Sequence, residues 1–405
     1  MEELPAPARD RALLSLVGAR ALYAYNWYNV GPIQLAVAAG LAVSFGTVSE
    51  ALSLFLVGVG LFQVPAGMLS LRWGARRTSL LGIALMSVAA VGSAFAPTFL
   101  LFLGSRFLVG LGAALFFSPA IGLVARYYRQ GGQGFAIGLY NGAFNLGAGI
   151  AVFVAALLSS WIGWRGSLLL GGLLLGAVTV ENLLVLPRLP EPTVPYPAIA
   201  AQTRAVLKER QLWVLGSAFL GFWVAEFAIA QYYVPWAVTV LHLSPAVAGG
   251  MDAVLVISSV VGGPLGGWLA ERVRHPTRLM ALSAGVTALA AAAIPFAPAW
   301  TLWGLSAVYG TFVGVVFAGI YLMAAQLPRI SQERIPLAVG LVNGIQVSVG
   351  SLVVVGLGTT VFGAQDYTAG FLALALLTVL PLPLLFGQRV PLPLGPSPPA
   401  GPAHA

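Results

Sequence analysis

Of the chain's 405 residues, 59% are hydrophobic and only 8% are charged, against about a quarter charged in soluble domains. That composition excludes a water-soluble globular protein and points to a polytopic membrane protein, in keeping with 49 glycines and 27 prolines. The formal net charge of +8 raises nucleic acid as a partner until the charges are located, and the lack of cysteine excludes disulfides and thiolate metal sites.

From the N-terminus, MEELPAPARDR is polar, and the apolar run behind it is too long for the core of a cleavable leader, so no signal peptide is expected. A helix needs about 20 apolar residues to cross a bilayer. Twelve stretches qualify: 13–42, 49–71, 78–96, 99–125, 134–158, 166–187, 212–240, 246–270, 277–296, 299–326, 336–362 and 366–387. Turn chemistry separates them, as in FAPTF, RYYRQGGQG, SSWIGWRG, LHLSPA, PFAPAW and LPRISQERIP. The first span is interrupted at Gly31-Pro32, where proline removes a backbone donor and bends the helix. Around that bend lie Asn26, Tyr28, Asn29 and Gln34, a polar and aromatic face suited to a cavity wall, with an interfacial aromatic belt as the plainer alternative. The seventh span ends in a comparable way, with Gln231, Tyr232 and Tyr233 ahead of Pro235 and Trp236.

The one long polar stretch, PRLPEPTVPYPAIAAQTRAVLKERQ, divides the spans six and six, and the terminal PLPLGPSPPAGPAHA cannot form a helix. The expected fold is all-α, with 12 transmembrane helices as two pseudo-symmetric six-helix bundles. Residues 1–187 form the first bundle, 188–211 a cytoplasmic linker, 212–387 the second bundle and 388–405 a disordered cytoplasmic tail.

The basic residues give the orientation. Arg9 and Arg11 precede the first span, Arg20 lies near its inner end, and Arg72, Arg76 and Arg77 follow the second. Arg126 and Arg129 follow the fourth, and Arg188, Arg204, Lys208 and Arg210 lie in the linker. Arg272, Arg274 and Arg278 follow the eighth, Arg329 and Arg334 the tenth, and Arg389 the twelfth. The intervening loops hold only Arg165. By the positive-inside rule both termini are cytoplasmic, in the plasma (cytoplasmic) membrane. The net charge thus marks topology in a lipid bilayer, and nucleic acid is not expected as a partner.

The halves also repeat. GMLSLRWG from Gly67 matches GWLAERVR from Gly267, pairing Leu71 with Glu271 and Arg72 with Arg272. APTFLLFLGSRFLVG from Ala96 matches APAWTLWGLSAVYG from Ala297, and GLYNGAFNLG from Gly138 matches GLVNGIQVSVG from Gly340. Duplicated bundles around a site near the bilayer midplane are a recurring transporter plan. Here the chain resembles the major facilitator superfamily over essentially its whole length. The loop after the second span carries the family's G-x-x-x-D-R-x-G-R-R as Gly67, Leu71, Arg72, Gly74, Arg76 and Arg77, with leucine where the carboxylate belongs. RFLVGLGAA carries the fourth-helix motif as Arg106, Gly110 and Gly112, and GWRGS at 163–167 the aromatic-Arg turn before the sixth helix. The resemblance implies two bundles rocking about a central site in a monomer. It also implies that the loop carboxylate braces the cytoplasmic start of the eleventh helix, so Leu71 leaves that brace to Glu271, facing Gln133 and Gly134.

Candidate functional residues follow. Glu226 is the acidic residue nearest the expected midplane, its nearest charged neighbours in sequence being Arg210 and Asp252, which makes it a candidate proton carrier. The alternative is a neutral carboxyl that holds two helices together. Arg106, inside the fourth span, is either functional or a structural Arg bonded to backbone carbonyls. The resemblance places it near the substrate and proton pathway, and its repeat mate is Ala307. Asn141, Asn145, Asn343 and Gln346 lie among closely spaced glycines, as cavity-lining amides or as bonds between helices. Asp252 and Asp366 are expected at outer helix ends, favouring the N-terminal dipole. His242, His275 and His404 are too scattered for a metal site, and neither a phosphate loop nor a cofactor is expected.

The leading function is secondary active transport of a small organic solute by alternating access, coupled to protons through Glu226 and Arg106. Efflux of hydrophobic compounds is the alternative, weakened by the lack of a Gly-Pro pair in GLYNGAFNLGAGIA. A transporter-like sensor or a polytopic membrane enzyme is the alternative of another class, without a soluble domain or a nucleophile constellation to support it. The Asn141-Gly142 to Gly147 pattern is similar to nitrate porters, but those carry Arg in the second and eighth helices. Neither span has one inside, so nitrate is not expected.

Overall fold

The computed structural model describes residues 4–190, 193–362 and 364–385, and the regular elements among them are all helical. The tail expected at 388–405, with Arg389 and His404, lies outside the described residues. The first half contains α1 (Ala6–Tyr28), a 3-10 turn at Gly31–Ile33, α2 (Gln34–Leu41), α3 (Phe45–Trp73), α4 (Ala75–Phe95), α5 (Phe99–Tyr127) and α6 (Gln133–Val185). The linker carries a helix of its own, α7 (Tyr196–Leu207). The second half contains α8 (Arg210–Ala218), α9 (Leu220–Thr239), α10 (Pro245–Ala270), α11 (Pro276–Ala293), α12 (Leu302–Ala325), α13 (Ile335–Leu357) and α14 (Tyr367–Val379).

Among the described residues, 10 helical segments are long and apolar enough to cross a membrane. One of them, α6, has 53 residues and covers the fifth and sixth expected spans. It folds back at Gly163, whose φ of 72° and ψ of 166° suit only glycine. Ser167 Oγ donates to the Ala155 carbonyl at 3.2 Å across that bend. α1 and α2, joined by the turn at Gly31-Pro32, supply the remaining span, so the chain has the twelve-helix plan. The seventh span is not continuous, because Phe219 (φ −104°, ψ 12°) separates α8 from α9.

Four helices that begin opposite the basic loops are capped by short polar side chains. Ser44 accepts from Thr47 N, Thr98 from Leu101 N, Ser244 from Val247 N and Asp366 from Ala369 N. Each such cap contributes about 1 kcal/mol. Within the halves α1 packs on α6, α3 and α4 on α5, α10 on α12, and α9 and α11 on α14. The halves meet where α6 crosses α10 and α3 crosses α13. Glycines set these crossings: a methyl group on Gly267 would overlap the Gly134 carbonyl, and one on Gly138 the Gly263 carbonyl. Gly67, the repeat mate of Gly267, lies against the Leu337 backbone in the same way. Close backbone approach of this kind is how membrane bundles gain packing energy without a hydrophobic drive.

Candidate functional site

A cavity of about 40 Å³ lies between the halves, room for a few waters. Its first-half wall is Arg20, Tyr23, Trp27 and Tyr28 of α1, Phe117 of α5, and Asn141, Phe144 and Asn145 of α6. Its second-half wall is Trp223, Glu226 and Phe227 of α9, Phe317 and Tyr321 of α12, and Asn343 and Val347 of α13. Two ring pairs join the halves at its edges, Tyr28 with Phe227 (centroids 6.0 Å apart) and Phe117 with Tyr321 (5.3 Å).

Arg20 dominates this site. The three- and four-residue steps from Arg20 to Tyr23 to Trp27 put all three on one face of α1. Arg20 is 6% exposed, and its Cζ lies 4.3 Å from the Tyr23 ring centroid, 4.4 Å from Phe117, 4.5 Å from Phe144 and 5.4 Å from Tyr140. Its Nε and Nη1 have no hydrogen-bond partner. The ion pairs found among the described residues, Arg9–Asp10 and Arg329–Glu209, involve neither Arg20 nor Glu226. Ring faces return on the order of 0.5–2 kcal/mol each, whereas a buried unpaired charge costs several. The rings also leave the Nε and Nη1 donors unused. Asn141 Nδ2 on the same wall is likewise without a partner. The Tyr321 hydroxyl donates to Asn343 Oδ1 at 2.8 Å, and Glu226 stands half-buried on the opposite wall. The cavity therefore offers a cation, an amide donor and one carboxyl inside an aromatic shell.

The structure brings Tyr28, Asn141, Asn145, Asn343 and Glu226 to the cavity. It does not bring Arg106 there. That side chain is fully buried in the first bundle, where Nη2 donates to the Asn26 carbonyl at 3.0 Å. Asn26 Nδ2 donates to the Gly171 carbonyl at 3.0 Å, and Asn29 Nδ2 to Asn26 Oδ1 at 3.4 Å, so these three tie α1 to α5 and α6. Gln34 sits half-buried in α2, and Gln231 is exposed. Tyr232 stacks on Phe362 with centroids 4.0 Å apart, and Gln346 is buried beside the Tyr321 hydroxyl (3.3 Å). In the sequence Arg20 reads as a topology residue. The available signal was a cation inside an expected span with aromatic residues three and seven positions later.

At the face carrying the basic loops, Glu271 Oε1 accepts the Gly134 N–H at 2.7 Å, and Gln326 Nε2 donates to Gln133 Oε1 at 3.0 Å. The mirror position, Leu71, is fully buried, and its carbonyl accepts the linker's Val194 N–H at 2.8 Å. Gly74 turns the chain between α3 and α4 with φ 87°. Arg76 donates to the Leu186 and Leu183 carbonyls at 3.1 and 2.8 Å, while Arg72 and Arg77 are exposed. Arg272 covers the Trp268 ring at 4.1 Å.

A family model described as Major Facilitator Superfamily matches residues 16–343. Human monocarboxylate transporter 11 is 35% identical over 236 residues, 55% of this chain and 48% of its own, so the chain spans about half of that relative. The nitrite extrusion protein of Bacillus subtilis is 25% identical over 358 residues, covering 86% of this chain and 87% of its own. The crystal structure of the E. coli fucose:proton symporter FucP superposes with a TM-score of 0.72 at 18% identity, over 93% of this chain and 97% of that one, and so shares the fold. The chain is an integral membrane protein, not an enzyme, and it belongs to the major facilitator superfamily of transporters of small molecules.

Proposed function

We propose that this transporter moves a small singly charged anion, foremost a short carboxylate, together with one proton by alternating access. The observation that carries the proposal is Arg20, a buried guanidinium with two unpaired nitrogens on the cavity wall. A carboxylate matches its fork of donors, with Asn141 beside it. Relatives named for monocarboxylate and nitrite support an anionic cargo. The cation sits on α1, whereas the interiors of α3 and α10 carry no Arg, so the site differs from the nitrate-porter arrangement.

Charge balance supports the coupling. With Arg20 and Glu226 both ionised, the empty cavity is neutral. With the anion on Arg20 and a proton on Glu226, the loaded cavity is neutral again. Anion alone or proton alone leaves one net charge between closed aromatic walls, at a cost of several kcal/mol. Only empty and fully loaded forms then interconvert easily, which gives electroneutral cotransport. Net direction follows the gradients. Efflux of cationic hydrophobic compounds has less support, since the guanidinium repels them. The alternating basic loops support cytoplasmic termini in the plasma membrane, and the family resemblance supports a monomer.

The test is lactate uptake into proteoliposomes with an alkaline interior. Arg20→Gln is expected to lower uptake at limiting lactate about thirtyfold, as 2 kcal/mol of lost charge pairing implies, with Arg20→Lys retaining part. Unchanged uptake by Arg20→Gln overturns the proposal.

A further inference from the structure

A second buried carboxylate stands apart from the cavity. Asp252 lies two turns into α10, half-buried, with Oδ1 enclosed and without a hydrogen-bond partner. The sequence suggested a helix-end role, but Ser244 caps this helix, so Asp252 does no capping. An intramembrane carboxylate without a structural partner is a functional group by default.

The packing of α10 on α12 fixes its level. A methyl group on Gly310 would meet Leu255, and one on Gly314 would meet Ser259. One turn earlier in that register, Ser306 is level with Met251, which puts Asp252 one residue from its level. Ser306 Oγ is 3.0 Å from the Tyr233 hydroxyl of α9, and both residues are fully buried. Tyr233 also lies on the same face of α9 as Glu226, two turns away and about 10 Å along the axis. Tyr309, one turn past Ser306 on α12, is 1% exposed. The hydroxyls of Tyr233, Ser306 and Tyr309 therefore lie at levels between Asp252 and the cavity carboxyl, the first two bonded to each other.

Among the described residues, no cation of the helices packed on α10 is placed against Asp252. α9 brings Tyr232, Tyr233 and Glu226, and α12 brings Tyr309 and Tyr321. On α6, Tyr140 lies beside Arg20, Arg165 donates to the carbonyls of Ala94 and Ala96, and Glu181 is exposed. On α11, Arg278 is exposed at the opposite end.

We propose that Asp252 is the entry station for the coupling proton, receiving it from the face opposite the basic loops and passing it through Tyr233, Ser306 and Tyr309 to Glu226. Asp252 gives up its proton, each hydroxyl accepts one and releases its own, and the Glu226 carboxylate gains one. Only O–H bonds form and break, and one proton moves. This proposal rests on the coupling role of Glu226 given above.

The experiment compares two modes of lactate movement in proteoliposomes: accumulation driven by a pH gradient, and exchange of labelled for unlabelled lactate at equal pH. Asp252→Asn is expected to lose accumulation to the level of protein-free vesicles while exchange continues at the wild-type rate. Tyr233→Phe, which keeps the ring, is expected to slow accumulation without slowing exchange, and it carries the test if Asp252→Asn does not fold. Wild-type accumulation that ignores the pH gradient overturns the coupling of Glu226 and this proposal with it. A pH-driven wild type with Tyr233→Phe, and any folded Asp252→Asn, accumulating at the wild-type rate overturns this proposal alone.

Discussion

Replacing Glu271 with Gln tests the closure of the face that carries the basic loops. Glu271 Oε1 accepts the N–H of Gly134, in the first turn of α6, at 2.7 Å, so one carboxylate from the second half holds a helix start of the first. Glutamine keeps an acceptor and removes the charge. A charge-assisted bond exceeds a neutral one by about 1 kcal/mol, and the charge at a helix N-terminus adds about 0.3–1 kcal/mol. Closure is thus weakened by about 1–2 kcal/mol, a shift of roughly 5–30-fold in the ratio of closed to open forms. The other crossing cannot compensate electrostatically, because Leu71 occupies the mirrored position and offers only its backbone carbonyl, to Val194. The chain has no cysteine, so spin labels can be placed at the exposed positions of Arg129 and Arg274 without a background. Electron–electron distance distributions in nanodiscs should show a longer component growing in Glu271→Gln. Identical distributions in the two proteins would refute the brace.

Gly267→Ala should push α10 from α6, since its methyl group meets the Gly134 carbonyl, and should lower the unfolding temperature as overpacking of about 1–3 kcal/mol does. Gly285→Ala, with nothing within 4 Å, is the control, and equal melting of the two variants counts against the crossing. At the polar start of α1, the Tyr128 hydroxyl donates to Asp10 Oδ1 at 2.6 Å, and with Arg9 nearby it holds that carboxyl below its ordinary value. A depressed carboxylate stabilises the fold above its unfolded value and loses that contribution as pH falls through the folded value. Tyr128→Phe should move the Asp10 titration upward by NMR and shift acid unfolding of this end to higher pH; an unmoved titration assigns the depression elsewhere.

Much of the fold was legible because it follows from few physical rules. Spans of about 20 apolar residues and alternating basic loops are required by the bilayer itself, and the repeat of Gly67 in Gly267 reappears as matched crossings. The tightness of the turn in SSWIGWRG was less legible, since one glycine at positive φ separates the fifth and sixth helices where a longer loop was expected. The site was harder still. Amides and charges look alike in an apolar sequence until the helix face is known, which is why Arg20, and not Arg106, lining the cavity could not be read there. Arg106 lies off the cavity wall inside the first bundle, with Nη2 on the Asn26 carbonyl and Nε and Nη1 without a partner, whereas Arg20 reads in the sequence as one more basic residue at a cytoplasmic end. Its exposure to the cavity depends on the rotation of α1 against α6, which composition does not encode.

The electroneutral pairing of one anion with one proton is tested most directly by flux under clamped voltage. Purified protein in proteoliposomes, with potassium and valinomycin setting the potential, is given lactate with and without a pH gradient while lactate and proton movements are recorded together. The expected result is equal fluxes of lactate and protons that ignore the potential, with Glu226→Gln retaining exchange and losing pH-driven accumulation. Lactate accumulation that follows the potential, or that persists undiminished in Glu226→Gln, would contradict it.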